Sequence, residues 1–197
     1  MTEVLAIGEW TDNAHLIADA ARLGYITGRV LDLTYGRGKF WTHWRPDVLV
    51  TNDLSELMPA QWHHDARKMP FGDGEFETVV FDPPYKLAGA RFGDDLDQRY
   101  GTSNYSPRAV VHALLLDGTS EAARLSSRWV LVKCMDQVNG GCVRWQTDYV
   151  TTHALRLGLN KVDSMMLKRW RPQPEGRRQE HARRNYSTLL VFEKGAR

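Results

Sequence analysis

The stretch VVFDPPYK, residues 79–86, places an acid, two prolines and a tyrosine directly after a strand-like run. Its first three residues are β-branched or aromatic and favour a buried strand. Pro83 and Pro84 lack a backbone N–H and cannot donate to a ladder, so we expect the strand to stop at Asp82. The stop leaves Asp82 and Tyr85 together at the end of a strand.

Around this stretch, strand-like runs alternate with segments of helical periodicity, which predicts a mostly parallel sheet with helices on both faces. No helix separates the last two strands, so we expect them to pair antiparallel. The predicted helices cover 12–23, 40–44 (a short helix at most), 107–127 with a break near Gly118, and 146–158. The predicted strands cover 29–33, 47–53, 60–66 (the weakest), 76–82, 128–134, 161–167 and 186–194.

The bulk composition is that of a soluble globular domain. The 197 residues are 42% apolar and 25% charged, and we expect one domain over 1–197. No secretory signal and no apolar run of membrane-spanning length is visible, so we expect a cytoplasmic protein without a membrane partner. The two cysteines lack metal-ligand or redox spacing, and we expect no metal.

Two further segments are candidates for function. Residues 86–106 are rich in glycine, acids and aromatics without a period, and we interpret them as a lid loop. Residues 168–187 hold seven Lys or Arg against two Glu, a local net charge of +5 in a chain of net +2. This asymmetry favours a polyanionic partner, although a solvated arginine-rich loop remains an alternative. The candidate nucleic-acid contacts are Lys86, Arg177, Arg178, Arg183 and Arg184.

A glycine-bearing turn follows the first predicted strand, in the spacing Asp32-x-x-x-Gly36-x-Gly38. The dinucleotide fingerprint would require a glycine where Trp41 stands, so a nucleoside without phosphates fits better than a pyrophosphate. Acids also follow the next two predicted strands: Asp53 could accept ribose hydroxyls, and Asp65 could accept an adenine amino group. In parallel sheets, ligands bind beyond the carboxyl ends of the strands, where all these residues would meet.

Four segments together, VLDLTYGRG, TND, HHDA and FDPPY, resemble the class I amino-methyltransferases of nucleic acids over residues 28–85. With LVKC and HARRNYSTLLVF, the whole chain is more loosely similar to small methyltransferases of actinobacterial phages and prophages. The resemblance implies a Rossmann-like α/β fold with a mostly parallel seven-stranded sheet and an antiparallel last strand. It also implies the cofactor S-adenosylmethionine.

By the same resemblance, each candidate cofactor residue receives a role. Asp32, Gly36 and Gly38 would contact the methionine end, Asp53 the ribose and Asp65 the adenine. Thr34 and Ala66 complete the predicted cofactor set. The chain has no separate target-recognition domain of the kind that larger sequence-specific members carry, which implies weak intrinsic sequence specificity.

The chemistry of an amino-methyltransferase explains the residues of the opening stretch. An exocyclic amino group is poorly nucleophilic because its lone pair is delocalised into the ring. If the Asp82 carboxylate and the Pro83 carbonyl each accept one amino N–H, the lone pair is freed for attack. Pro84 restricts the backbone of Pro83, and Tyr85 offers a face on which an extruded base can stack.

The predicted activity is therefore methylation of an exocyclic amino group of a base, with DNA as partner and adenine favoured over cytosine. Methylation of RNA, for example ribosomal RNA, is the first alternative. A catalytically silent nucleic-acid-binding subunit is the second, and the intact motif of residues 82–85 argues against it. A proline-terminated strand end with a capping aspartate is the structural alternative for the motif.

Overall fold

The computed structural model describes residues 9–87, 108–168, 180–182 and 184–195. The predicted lid lies outside the described residues apart from its first two positions, Lys86 and Leu87. Most of the basic segment also lies outside them, and so do three of the four arginines predicted to bind nucleic acid. Those three are Arg177, Arg178 and Arg183.

The main sheet has seven strands: β1 (Glu9–Trp10), β2 (Arg29–Asp32), β3 (Val48–Thr51), β4 (Phe76–Phe81), β5 (Ser126–Cys134), β8 (Leu159–Lys168) and β9 (Tyr186–Lys194). Their order across the sheet is β1-β8-β9-β5-β4-β2-β3. Every neighbouring pair is parallel except the two that involve β9, which runs antiparallel to β5 and β8. The prediction of a mostly parallel sheet with an antiparallel last strand is confirmed.

Helices α1 (Asn13–Arg22), α2 (Arg108–Leu125) and α3 (Gln146–Arg156) cover the two faces of this sheet. Strand side chains point alternately to these faces. Val79 and Phe81 therefore join the apolar cluster packed against α2 and α3, whereas Val80 joins the cluster packed against α1. A short 3-10 turn, Lys39–Trp41, packs on the α1 side. Among the described helices, none is long and apolar enough to cross a bilayer.

One predicted strand is wrong. Residues 60–66 contribute only an isolated parallel bridge between Asn52 and Trp62. The side-chain amide of Gln61 accepts the N–H of Thr51 at 3.0 Å, which occupies a donor that a longer ladder would need. The seventh strand is instead β1, a two-residue element that pairs with β8.

The predicted helix break near Gly118 is also wrong, because α2 is continuous through this glycine. At Gly118 the helix lies close against the sheet: a β-carbon there would lie 2.2 Å from the Cζ atom of Phe81. The glycine is therefore explained by packing. Phe81 directly precedes Asp82, so this contact also supports the end of β4.

A small hairpin, β6 (Gln137–Asn139) and β7 (Cys142–Arg144), follows β5 and forms a separate two-stranded sheet. Gly140 and Gly141 join its strands with φ values of 61° and 71°, in the left-handed region that glycine adopts readily. The sequence NGGC at 139–142 indicates this turn directly.

We predict that Gly118→Ala destabilises the protein although alanine is the better helix former. The gain in helix propensity is about 1 kcal/mol, whereas overpacking a core typically costs about 1–3 kcal/mol. Urea denaturation should show a net loss of stability. Gly72→Ala is the matched control, because its β-carbon would meet nothing closer than a Glu75 carboxylate oxygen at 3.8 Å. A Gly118→Ala protein more stable than wild type would contradict the packing argument.

Candidate active site

Three carboxylates converge at the carboxyl edge of the sheet. Asp32 ends β2, Asp53 follows β3 by two residues, and Asp82 follows β4 directly. Because β4, β2 and β3 are parallel neighbours, their carboxyl ends meet at one edge. Burial is the main cause that raises the pKa of Asp32, and the negative charges of Asp82 and Asp53 raise it further. The structure therefore brings these three acids together at one edge of the sheet.

Asp32 is buried, and its carboxylate holds the start of the glycine loop. One oxygen accepts the backbone N–H of Thr34 at 3.0 Å, and the other accepts the indole N–H of Trp41 at 2.7 Å. Burial raises the pKa of Asp32 to about 7, although these two hydrogen bonds oppose the shift. The acid is therefore poised to change its charge near neutral pH.

The glycine loop turns sharply between β2 and the 3-10 turn. Gly36 and Gly38 have φ values of 56° and 70°, which L side chains rarely adopt. A β-carbon at Gly38 would also meet the Tyr35 ring, with 2.5 Å to its hydroxyl oxygen. The N–H of Gly36 donates to the Asp53 carboxylate at 2.8 Å, so the loop is attached to the neighbouring strand.

Asp53 is 8% exposed, and each of its carboxylate oxygens accepts a backbone N–H, from Gly36 at 2.8 Å and from Ser55 at 2.9 Å. A carboxylate oxygen can accept more than one hydrogen bond, so the group retains capacity for hydroxyl donors. The preceding residue, Asn52, is fully buried and was missed by the sequence analysis. Its amide donates to the carbonyls of Leu33 and His64, which joins three segments of the edge.

Asp65 lies in a different environment from the one expected. Its carboxylate forms a bidentate ion pair with Arg67, the shortest contact being 2.6 Å. This pairing holds the pKa of Asp65 below its ordinary value. Much of its acceptor capacity is therefore already used, and its role towards adenine stays a prediction. Ala66 beside it is buried.

Asp82, the first residue of the D-P-P-Y sequence, is joined directly to the glycine loop. The backbone N–H of Asp82 donates to the Thr34 hydroxyl at 2.8 Å, while Thr34 donates its own N–H to Asp32. Pro83 is buried, and Pro84 and Tyr85 are half-buried. The structure thus brings Asp82 and the predicted cofactor loop together through a single threonine.

Two buried glutamines hold the backbone after the motif, and sequence reasoning missed both. The side-chain amides of Gln137 and Gln146 each donate to the Tyr85 carbonyl at 2.8 Å. Gln137 also accepts the N–H of Leu87 at 3.1 Å. The hairpin that contains Gln137 therefore supports the exit from the motif, a contact that no local sequence signal indicates.

A buried lysine lies beside Asp82, and sequence reasoning also missed it. Lys133, near the end of β5, has a side chain that is 2% exposed. Its ammonium group lies 2.8 Å from Asn13 Oδ1 and 3.4 Å from Asp82 Oδ2. The available signal was a lysine interrupting the apolar strand at residues 129–134.

Of the predicted nucleic-acid contacts, two are described. Lys86 is exposed and directly follows Tyr85. The guanidinium of Arg184 lies 4.5 Å from the ring centroid of Trp145, an exposed tryptophan at the start of α3. Arg184 therefore stacks on an aromatic face, and its contact with a phosphate stays a prediction.

One group of described residues could offer three metal-ligand atoms, because those of Asp12, His15 and His43 lie within 4.8 Å of one another. Asp12 is the N-cap of α1, and its carboxylate accepts the His15 backbone N–H at 2.9 Å while its other oxygen contacts the His15 ring. Both side chains are well exposed. We interpret the group as a helix cap.

No family model and no curated protein matches the sequence. Solved structures do match the fold: a candidate methyltransferase from Bacillus halodurans is 16% identical, with a TM-score of 0.60 over 94% of this chain and 99% of that one. Magnesium protoporphyrin IX methyltransferase from Synechocystis, with bound S-adenosylhomocysteine, is 13% identical, with a TM-score of 0.55 over 93% and 81%. A Burkholderia thailandensis didemethyltoxoflavin N1-methyltransferase is also 13% identical, with a TM-score of 0.54 over 93% and 78%. The chain therefore has the Rossmann-like class I methyltransferase fold.

The raised pKa of Asp32 predicts how stability depends on pH. Its ordinary value is 3.8 and its folded value is about 7, so between these values the folded state binds the extra proton. The raised pKa therefore favours the folded state at low pH. The free energy of unfolding falls as pH rises towards 7, by up to about 1.4 kcal/mol per pH unit. The free energy of unfolding, measured by urea denaturation, should fall less between pH 5 and pH 8 for Asp32→Asn than for wild type.

Asp47→Asn is the matched control, since Asp47 is an exposed acid before β3. Its stability should change with pH as wild type does. An Asp32→Asn protein that loses as much stability as wild type over this range would show that Asp32 does not titrate there.

Proposed function

We propose that the protein is an S-adenosylmethionine-dependent methyltransferase that acts on the exocyclic amino group of a nucleic-acid base, with adenine in DNA as its substrate. The observation that carries the proposal is the hydrogen bond from the Asp82 N–H to the Thr34 hydroxyl at 2.8 Å. It holds the acid of the D-P-P-Y motif against the loop predicted to bind the methionine end of the cofactor.

The residues at the edge fit the cofactor chemically. Gly36 and Gly38 leave the loop without side chains where a ligand must approach closely. Asp32 offers negative charge to a cationic methionine end, and Asp53 offers carboxylate oxygens to ribose hydroxyls. When bound, S-adenosylmethionine would supply an electrophilic methyl group on a positive sulfur. A nitrogen lone pair would form a bond to the methyl carbon, and the electron pair of the broken carbon–sulfur bond would stay on the sulfur leaving group.

In this proposal, the protein positions the amino group and stabilises the charge that develops on it. The Asp82 carboxylate accepts one amino N–H, and the Pro83 carbonyl accepts the other. The nitrogen then becomes tetrahedral, its lone pair leaves the ring system, and both acceptors face the positive charge that grows on nitrogen. The nitrogen finally releases one proton to solvent, and Tyr85 provides the stacking surface that retains the base.

Charge and exposure support a nucleic-acid partner. Lys86 is exposed next to the motif. The basic segment of residues 168–187 begins at the carboxyl end of β8. Because β8 is parallel to β1, its carboxyl end lies at the same edge of the sheet as the first turn of α1. Arginines of this segment can bind phosphates while a base is drawn out of the helix towards Tyr85. RNA has the same phosphates and the same amino groups, so methylation of RNA is the second candidate.

The test is transfer of labelled methyl groups to DNA and RNA in parallel, followed by mass spectrometry of the nucleosides. We expect N6-methyladenine in DNA from the wild-type protein. Asp82→Ala should transfer at least about 100-fold more slowly, the scale of losing one preorganised electrostatic partner. Its cofactor affinity, measured by calorimetry, should stay within about threefold of wild type because Asp82 faces the base.

Asp47→Ala is the control for this series and should transfer at the wild-type rate, because Asp47 precedes β3 and lies at the opposite end of that strand. Methylated RNA without methylated DNA would establish the second candidate. A folded protein that binds the cofactor but methylates neither polymer would contradict the proposal.

A further inference from the structure

Lys133 occupies a position that is unfavourable for a lysine. It belongs to a run of consecutive buried residues, Trp129–Cys134, in a central strand of the sheet. Burying an unpaired ammonium group costs so much free energy that lysine is almost never fully buried without a partner. Its 2% exposure therefore calls for partners that offset the lost hydration.

The partners come from two separate elements. Asn13, the first residue of α1, lies at 2.8 Å through its side-chain oxygen, and Asp82 lies at 3.4 Å through its carboxylate. Two aromatic rings flank the ammonium group: the centroid of Phe40 lies at 5.2 Å and that of Tyr85 at 5.8 Å. Lys133 thus contacts both the acid and the tyrosine of the D-P-P-Y motif.

The charges around Asp82 show why a cation belongs there. Asp32 from β2 interacts repulsively with Asp82, and Asp53, beyond β3, adds its own negative charge to the group. Cys134, the next residue on β5, stays neutral because burial raises the pKa of its thiol. Neighbouring carboxylates favour a protonated acid, whereas an ammonium group at this distance favours the ionised form.

We propose that Lys133 is a positioning residue that keeps the Asp82 carboxylate ionised and fixes its orientation through a link to the start of α1. The catalytic consequence rests on the proposed function, because only an ionised carboxylate is a pure acceptor for an amino N–H. The effect on Asp82 itself does not depend on any particular substrate.

The experiment compares Lys133→Met, which removes the charge and keeps the length, with wild type in two measurements. The first is the pH titration of the Asp82 carboxyl carbon by NMR, which requires no activity. The midpoint should rise by about one to three pH units in the variant, the effect of losing a nearby opposite charge. The second is the single-turnover rate of methyl transfer against pH, whose acidic limb should move in the same direction by a similar amount.

Lys161→Met is the matched control, since Lys161 is an exposed lysine on β8 and should leave both measurements unchanged. If Lys133→Met fails to fold, Asn13→Ala provides the second variant: it removes the other anchor of the ammonium group and should alter the Asp82 titration in a folded protein. An unchanged Asp82 midpoint in either folded variant would overturn the proposal. If the Asp82 midpoint shifts in Lys133→Met but the wild-type protein itself transfers no methyl group, the role of Lys133 would be upheld and the proposed function rejected.

Discussion

The hydrogen bond from the Asp82 N–H to the Thr34 hydroxyl, 2.8 Å long, is the contact on which the site depends. It connects two segments 48 residues apart in sequence, the glycine loop after β2 and the motif after β4. Thr34 is itself fixed because its N–H donates to the buried Asp32. Since β2 and β4 are adjacent parallel strands, one side chain is long enough to join their ends. The hydrogen bond therefore couples the start of the glycine loop to the start of the motif.

The electrostatics of this edge of the sheet follow from the close approach of several acidic side chains. Three carboxylates meet there, and burial raises the pKa of Asp32 to about 7. Such an arrangement is destabilising for the isolated fold, and functional sites commonly retain strain of this kind. Lys133 offsets part of the negative charge at Asp82, and a cationic ligand would offset more at Asp32 and Asp53. In our account the site is therefore complementary to a positively charged cofactor before any contact with a base.

Much of the fold could be predicted from the sequence, because strand-like runs and helical periodicity are local signals. Asp32, Asp53 and Asp82 could be assigned to one edge since parallel strands end together. The errors have tertiary causes: Gln61 occupies the donor that a third strand would use, and Gly118 is explained by Phe81 rather than by a helix break. The supporting residues were missed for the same reason. Asn52, Lys133 and the two glutamines at 137 and 146 act through contacts between distant segments, which no local pattern encodes.

The most direct test of this account is the single-turnover rate of methyl transfer by Thr34→Val, with Thr34→Ser as the control. Valine keeps the shape of threonine but removes the hydroxyl that accepts the Asp82 N–H, and a typical hydrogen bond contributes about 0.5–1.5 kcal/mol. If the threonine couples the cofactor loop to the motif, Thr34→Val should transfer about fivefold more slowly, whereas Thr34→Ser should retain most of the wild-type rate. A folded Thr34→Val protein with the wild-type rate would contradict the central claim.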